Sequence, residues 1–147
     1  MKESILRTKS FELAAVISAL TKKLRREREY DLSKQLFRCG TSVGANIQEA
    51  QSGCSIKEFI FKLSIALREC RETDYWIRTA KLSTTMDTKD IEALTDEVAS
   101  LLVSSIKTAK AKNEWDILSD EQLAAKKEEV DKTFKERMDK AIEIIDK

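Results

Sequence analysis

The chain has 147 residues, enough for one domain with a real core and too few for two comfortable ones. Charged residues make up 36%, glycines number three and proline is absent, a composition suited to long solvated helices. The formal net charge is +1 and there is no histidine, which removes Ser-His-Asp and Cys-His catalysis and the Glu-x-x-His ligands of di-iron bundles.

A first helix is expected from about Ser10 to Arg28, with Leu13, Ile17, Leu20 and Leu24 on its inner face. Lys22, Lys23, Arg25, Arg26 and Arg28 gather at its end, where cations complement the helix dipole. Asp31 or Ser33 would begin a second helix. Its stripe, Leu36, Gly40, Val43, Ile47 and Ala50, alternates steps of four and three. Gly40 and Gly44 would each cost about 1 kcal/mol against Ala in a helix interior. Close backbone approach to a neighbouring helix would offset that cost. Ser52-Gly53-Cys54-Ser55 breaks the pattern, and Ser55 stands at capping-box spacing from Glu58.

The third helix carries a wider stripe, Ile56, Phe59, Ile60, Leu63, Ala66, Leu67, Cys70 and Ile77, and should end near Leu82, before Ser83-Thr84-Thr85. Asp87 or Thr88 would cap a fourth, with Ile91, Leu94, Val98, Leu101, Leu102, Ile106 and Ala109 facing inward. Short connections favour antiparallel, up-down packing of these four helices.

After Lys112 the character changes. Residues 1–113 hold 20 Lys and Arg against 15 Asp and Glu, a net +5, whereas residues 114–147 hold 7 against 11, a net −4. Residues 113–118 read as a link, and Ser119 to Gln122 repeats the capping-box spacing. A fifth amphipathic helix follows, with Leu123, Val130, Phe134, Met138, Ala141 and Ile145 on one side. Such a helix must bury its stripe on its own bundle, on a neighbouring subunit or on another protein. Its Glu/Lys-rich, idealised texture also fits an engineered fusion. The organisation expected is therefore a bundle over 1–113 and a helical extension over 114–147.

The strings LSKQLFRCGTSVGANIQEA and FIFKLSIALRECRETDYWI, with Ser10-Phe11-Glu12-Leu13-Ala14 before them and Ser104 to Lys110 after, resemble the 23S rRNA intervening-sequence proteins, a family also called four-helix bundle proteins. The resemblance covers roughly residues 8–113. It implies a four-helix bundle, commonly a homopentamer. It also implies a distant similarity to the accessory proteins of diversity-generating retroelements, basic pentamers that work with a reverse transcriptase and nucleic acid. Cys39 stands where the family pattern has serine, and Val43 where it has isoleucine.

Other chemistry finds little support. Cys39, Cys54 and Cys70 are odd in number and lack metal-ligand spacing, as expected of small thiols in a reducing compartment. Glu69 and Glu72, with Glu49 facing them, could form only a carboxylate site. The commoner role for Asn46, Glu49, Glu69, Glu72 and Tyr75 is a polar layer fixing helix register. Gly40 and Gly44 lie within a helical pattern and follow no strand, so they form no phosphate loop. Trp76, Trp115 and Tyr75 show no interleaving with basic residues of the kind found in single-strand platforms. No catalytic residue, metal or cofactor is expected.

The N-terminus lacks the apolar core of a signal peptide and no apolar run suits a membrane, so a cytoplasmic protein is expected. The fold expected is all-α: an up-down antiparallel four-helix bundle with an additional C-terminal amphipathic helix. The function expected is a non-enzymatic homo-oligomer associated with RNA or DNA backbone through Lys22, Lys23, Arg25, Arg26 and Arg28. A protein-interaction module acting through residues 119–146 is the alternative, with Leu123, Val130, Phe134, Met138 and Ile145 as its docking face.

Overall fold

The structure is a computed structural model that describes residues 4–117 and 120–145, with side chains at 115–117, 120, 123 and 141–145 outside the description. Five helices follow one another: α1 (Ile5–Arg26), α2 (Tyr30–Gln51), α3 (Ile56–Ser83), α4 (Lys89–Ile117) and α5 (Asp120–Ile145). No strand occurs among the described residues. The chain divides into two units, Met1–Lys110 and Ala111–Lys147.

The first unit holds α1, α2, α3 and most of α4. Antiparallel order is visible in its cross-links. The Ser33 hydroxyl at the start of α2 donates to the Thr21 carbonyl near the end of α1, at 3.0 Å. Farther along, Gly40 faces Ile17 and Gly44 faces Ser10. Arg38 reaches Glu69 and Glu72 on α3, while Lys62 near the start of α3 meets Glu49 near the end of α2 at 2.6 Å. The fourth helix is tied to α3 by Cys70 Sγ and the Thr95 carbonyl at 3.5 Å, and to α1 by Lys9 and Glu97 at 3.2 Å.

Most of the expected inner faces form the core, with Phe59, Leu67, Ile91, Leu101 and Ile106 packed partly buried against it. Ile56, Ile60 and Ala109 of the expected stripes are only partly buried and lie outside it. Leu13, Ile17, Leu24, Leu36, Val43, Leu63, Ala66, Cys70, Ile77, Val98 and Leu102 are fully buried. The first helix begins a turn earlier than its sequence signal, at Ile5, because Leu6 extends the same stripe into the core. Ser33 does not begin α2; it is buried within it, and the helix starts at Tyr30. Ser55 caps α3, its hydroxyl accepting from the Glu58 N–H at 3.1 Å while the Glu58 carboxylate accepts from the Cys54 N–H at 2.9 Å. Asp87 accepts from the Lys89 N–H at 3.1 Å at the start of α4. The stretch expected as a link is helical through Ile117, since nothing in Asn113-Glu114-Trp115-Asp116 breaks a helix.

The close approach belongs to Gly40 rather than equally to both glycines. A Cβ at Gly40 would lie 2.7 Å from Cγ2 of the fully buried Ile17, whereas one at Gly44 would meet the Ser10 carbonyl oxygen at an ordinary 3.5 Å. Gly44 therefore tolerates a small side chain where Gly40 does not.

The polar layer also differs from expectation. Glu49 and Tyr75 are exposed, and the Asn46 amide bonds within its own helix to the Ser42 carbonyl. Glu69 and Glu72 sit on the α2–α3 seam beside Arg38, not in the centre. The buried polar residues are Ser10, Thr21, Ser33, Thr73, Thr88 and Thr95. Thr73 and Thr95 donate to the carbonyls of Glu69 and Ile91 one turn back on their own helices, both at 2.7 Å. A hydroxyl satisfied this way can be buried without a partner across the core.

In the second unit, α5 presents Val130, Phe134 and Met138 to solvent at 52%, 65% and 46% exposure. Leu123, Ala141 and Ile145 of the expected stripe, and the expected cap Ser119, lie outside the described side chains. Lys126 pairs with Glu114 at 3.1 Å.

Candidate nucleic-acid interface

The first helix ends at Arg26 in a Schellman motif, with Glu29 N–H donating to the Leu24 carbonyl at 2.9 Å and Arg28 N–H to that of Arg25 at 3.1 Å. Arg28 adopts the left-handed conformation, φ 65°, that this motif usually assigns to glycine. The tight turn sets the last turns of α1 against the first turns of α2. Lys22, Lys23, Arg25, Arg26 and Arg28 are all exposed there.

Only part of that cluster shares a concavity. A groove of about 600 Å³ lies between the helices, lined by Ser18, Thr21, Lys22, Arg25, Ser33, Lys34, Phe37, Arg38 and Thr41. Lys22 and Arg25 line it, while Lys23, Arg26 and Arg28 do not. The sequence reading missed Lys34, Phe37 and Arg38. Their signal was the helical spacing of Lys34, Phe37, Arg38 and Thr41 on one face of α2, but only the antiparallel register brings that face beside Lys22 and Arg25.

The groove's charges are not equivalent. Arg38 is held by Glu72 and by Glu69, the latter at 3.6 Å, and this pairing holds the Glu72 carboxyl below the usual carboxylate range. Trp76 Nε1 adds a bond to Glu72 at 3.3 Å. Lys22, Arg25 and Lys34, by contrast, form no ion pair among the described residues. Three of the four hydroxyls that line the groove are already committed as donors to backbone carbonyls. Thr21 donates to the Ser18 carbonyl at 2.9 Å, Ser33 to that of Thr21 at 3.0 Å, and Thr41 to that of Phe37 at 2.6 Å. An anion in the groove would be met by three cations, with the half-exposed Phe37 ring beside them.

Other chemistry is poorly provided for. No cluster of three or more His, Cys, Asp or Glu suited to a metal occurs among the described residues. Cys39 and Cys70 are buried, and burial pushes both thiols up, that of Cys70 to about 12. Cys54 is exposed in the α2–α3 connection. Among the described residues no helix is long and apolar enough to cross a membrane.

The comparisons agree with the helical fold. No curated protein matches the chain. A crystal structure of a protein of unknown function from the S23 ribosomal protein family of Bacteroides thetaiotaomicron VPI-5482 is 39% identical, covering 70% of this chain and 99% of that one with a TM-score of 0.68. The family model for 23S rRNA-intervening sequence protein matches residues 2–105. The chain belongs to the 23S rRNA-intervening sequence protein family.

Proposed function

We propose that the protein is a non-enzymatic, homo-oligomeric bundle that associates with RNA by holding its phosphate backbone in the α1–α2 groove. The observation carrying this reading is the set of three cations, Lys22, Arg25 and Lys34, that line the groove without an ion-pair partner among the described residues. Cations left unneutralised around a concavity focus positive potential there. Phe37 supplies a face on which a base can stack. Lys23, Arg26 and Arg28 extend the field beyond the groove, and Arg28 keeps a cation where glycine would be less strained.

Self-association is supported by large apolar side chains left exposed on the bundle, among them Phe11, Tyr30, Phe61 and Tyr75. The assembly we favour is the pentamer that the family resemblance implies. A ring would repeat the groove around one axis and multiply its attraction for a polyanion. A cytoplasmic location suits this role.

The test is retention of single-stranded RNA by wild type and by Lys22→Glu/Arg25→Glu/Lys34→Glu over a range of salt, with native mass recorded with and without RNA. Wild-type affinity should fall with salt with a slope of about −2 per engaged groove, as three phosphate contacts to a single strand imply. The triple variant should lose retention at unchanged assembly size. Equal binding by both proteins at low salt would reject the groove. It would favour the second reading, a protein-interaction module acting through the exposed Val130, Phe134 and Met138.

A further inference from the structure

We propose that α5 pairs in parallel and in register with α5 of a second copy of this chain. This goes beyond the RNA reading and does not depend on it. The stripe on α5 repeats every eleven residues: Leu123, Phe134 and Ile145 fall eleven apart, as do Val130 and Ala141, and Lys127 and Met138. An eleven-residue repeat is about 3.67 residues per turn, close to the natural helix, so the stripe stays on one side of a nearly straight rod. The helix has 26 residues and is about 39 Å long. Val130 and Phe134, with Glu129, Thr133 and Arg137, line a shallow surface groove of about 310 Å³. Lys127, the polar member of the stripe, can lay its aliphatic stem along a seam and keep its ammonium in water.

Charge identifies the occupant. In register, Lys126 and Arg137 border the stripe on one side, with Lys140 farther round. Asp120 and Asp131 border it on the other, with Glu128 and Asp139 farther round. Glu129 on the first side and Lys135 on the second are exceptions, and both lie outside the nearest positions. Two parallel helices set opposite borders against each other, so the basic edge of one meets the acidic edge of the next. Antiparallel pairing would set like against like. Parallel pairing places Lys126, which also meets Glu114, across the seam from Asp131 of the second copy. The bundle's positive charge attracts α5 only in a general way, whereas this two-edged pattern is matched by another α5. Parallel order is also what any ring of identical subunits imposes on its tails.

The test uses the full chain with the exposed Cys54 replaced (Cys54→Ser), since Cys39 and Cys70 are buried. Val130→Cys in this background should form a disulfide-linked dimer on oxidation. When Val130→Cys chains are mixed with size-tagged Met138→Cys chains, parallel register gives like-with-like dimers. Antiparallel pairing about Phe134 would give predominantly mixed dimers and would overturn the proposal. Phe134→Asp should reduce the Val130→Cys cross-link at least about tenfold, because a carboxylate would be trapped in the seam. The thermal transition of the bundle should be unchanged. Absence of any cross-link, or a cross-link that survives Phe134→Asp, would place α5 elsewhere, on its own bundle or on a different protein.

Discussion

The bundle and α5 are both amphipathic and both read clearly in the sequence, yet they dispose of their apolar surface in opposite ways. In the bundle, the stripes of four helices close on one another until Ile17, Leu36, Ile77 and Val98 have no exposed surface. On α5, Phe134 keeps 65% of its surface in water. Periodicity reports that a helix has a face to bury. What covers that face depends on whether the same chain supplies partners of matching length and register.

The largest expected contrast is in the cost of truncation. Leu36→Ala should destabilise the bundle by about 2–5 kcal/mol, since it empties a fully buried site. Phe134→Ala should change the bundle's unfolding free energy, measured in urea, by no more than about 0.5 kcal/mol. Similar large losses from both would mean that α5 belongs to the bundle's cooperative core.

Next come the two glycines of α2. Gly40→Ala should destabilise by about 1–3 kcal/mol by pressing on Ile17, despite the better helix propensity of alanine. Gly44→Ala should be neutral, or stabilise by up to about 1 kcal/mol, because its Cβ would rest at ordinary contact distance from Ser10. Equal losses in thermal melts would show that α1 and α2 are evenly pressed along their length.

A smaller gain is expected at the α1–α2 turn. Arg28→Gly relieves a left-handed arginine and should stabilise by about 1 kcal/mol. Because Arg28 lies outside the groove lining, RNA retention should weaken less than for Lys34→Glu. A loss of stability would show that the arginine side chain, not the turn, holds this end together.

The smallest effect concerns acid. Arg38 depresses the Glu72 carboxyl below its ordinary 4.5, so the unfolded chain takes up a proton first as pH falls. The stabilisation is present above 4.5 and is lost as pH drops through the lower folded-state value. In wild type the unfolding free energy should decline slightly more steeply below 4.5 than in Glu72→Gln. Both partners are partly solvated, so the difference is modest. Identical acid limbs would mean that the pair is screened out.

What was legible follows from what side-chain pattern encodes. Leu36, Val43, Ile47, Leu94, Val98 and Leu102 announced the core because apolar spacing and burial have the same cause. The polar residues misled for the opposite reason. Glu69 and Glu72 at i,i+3 spacing look alike whether buried or on a seam, and Thr73 and Thr95 look polar although each hydroxyl is satisfied one turn back. The basic cluster was visible as a run, but its division was not. Lys22 and Arg25 line the groove because of helical phase, and Lys34 and Phe37 join them only through the antiparallel register with α2.

Hydrogen exchange of the full chain at two protein concentrations, one above and one below that at which the assembly dissociates, tests the central contrast most directly. Amides around Leu36, Ile77 and Val98 should exchange slowly at both concentrations, because their cover lies in the same chain. Those of residues 121–140 should be fast in dilute protein and become protected as concentration rises, because their cover is a second α5. Protection of α5 as strong as the bundle's at the lowest concentration, unchanged on concentrating, would contradict the account.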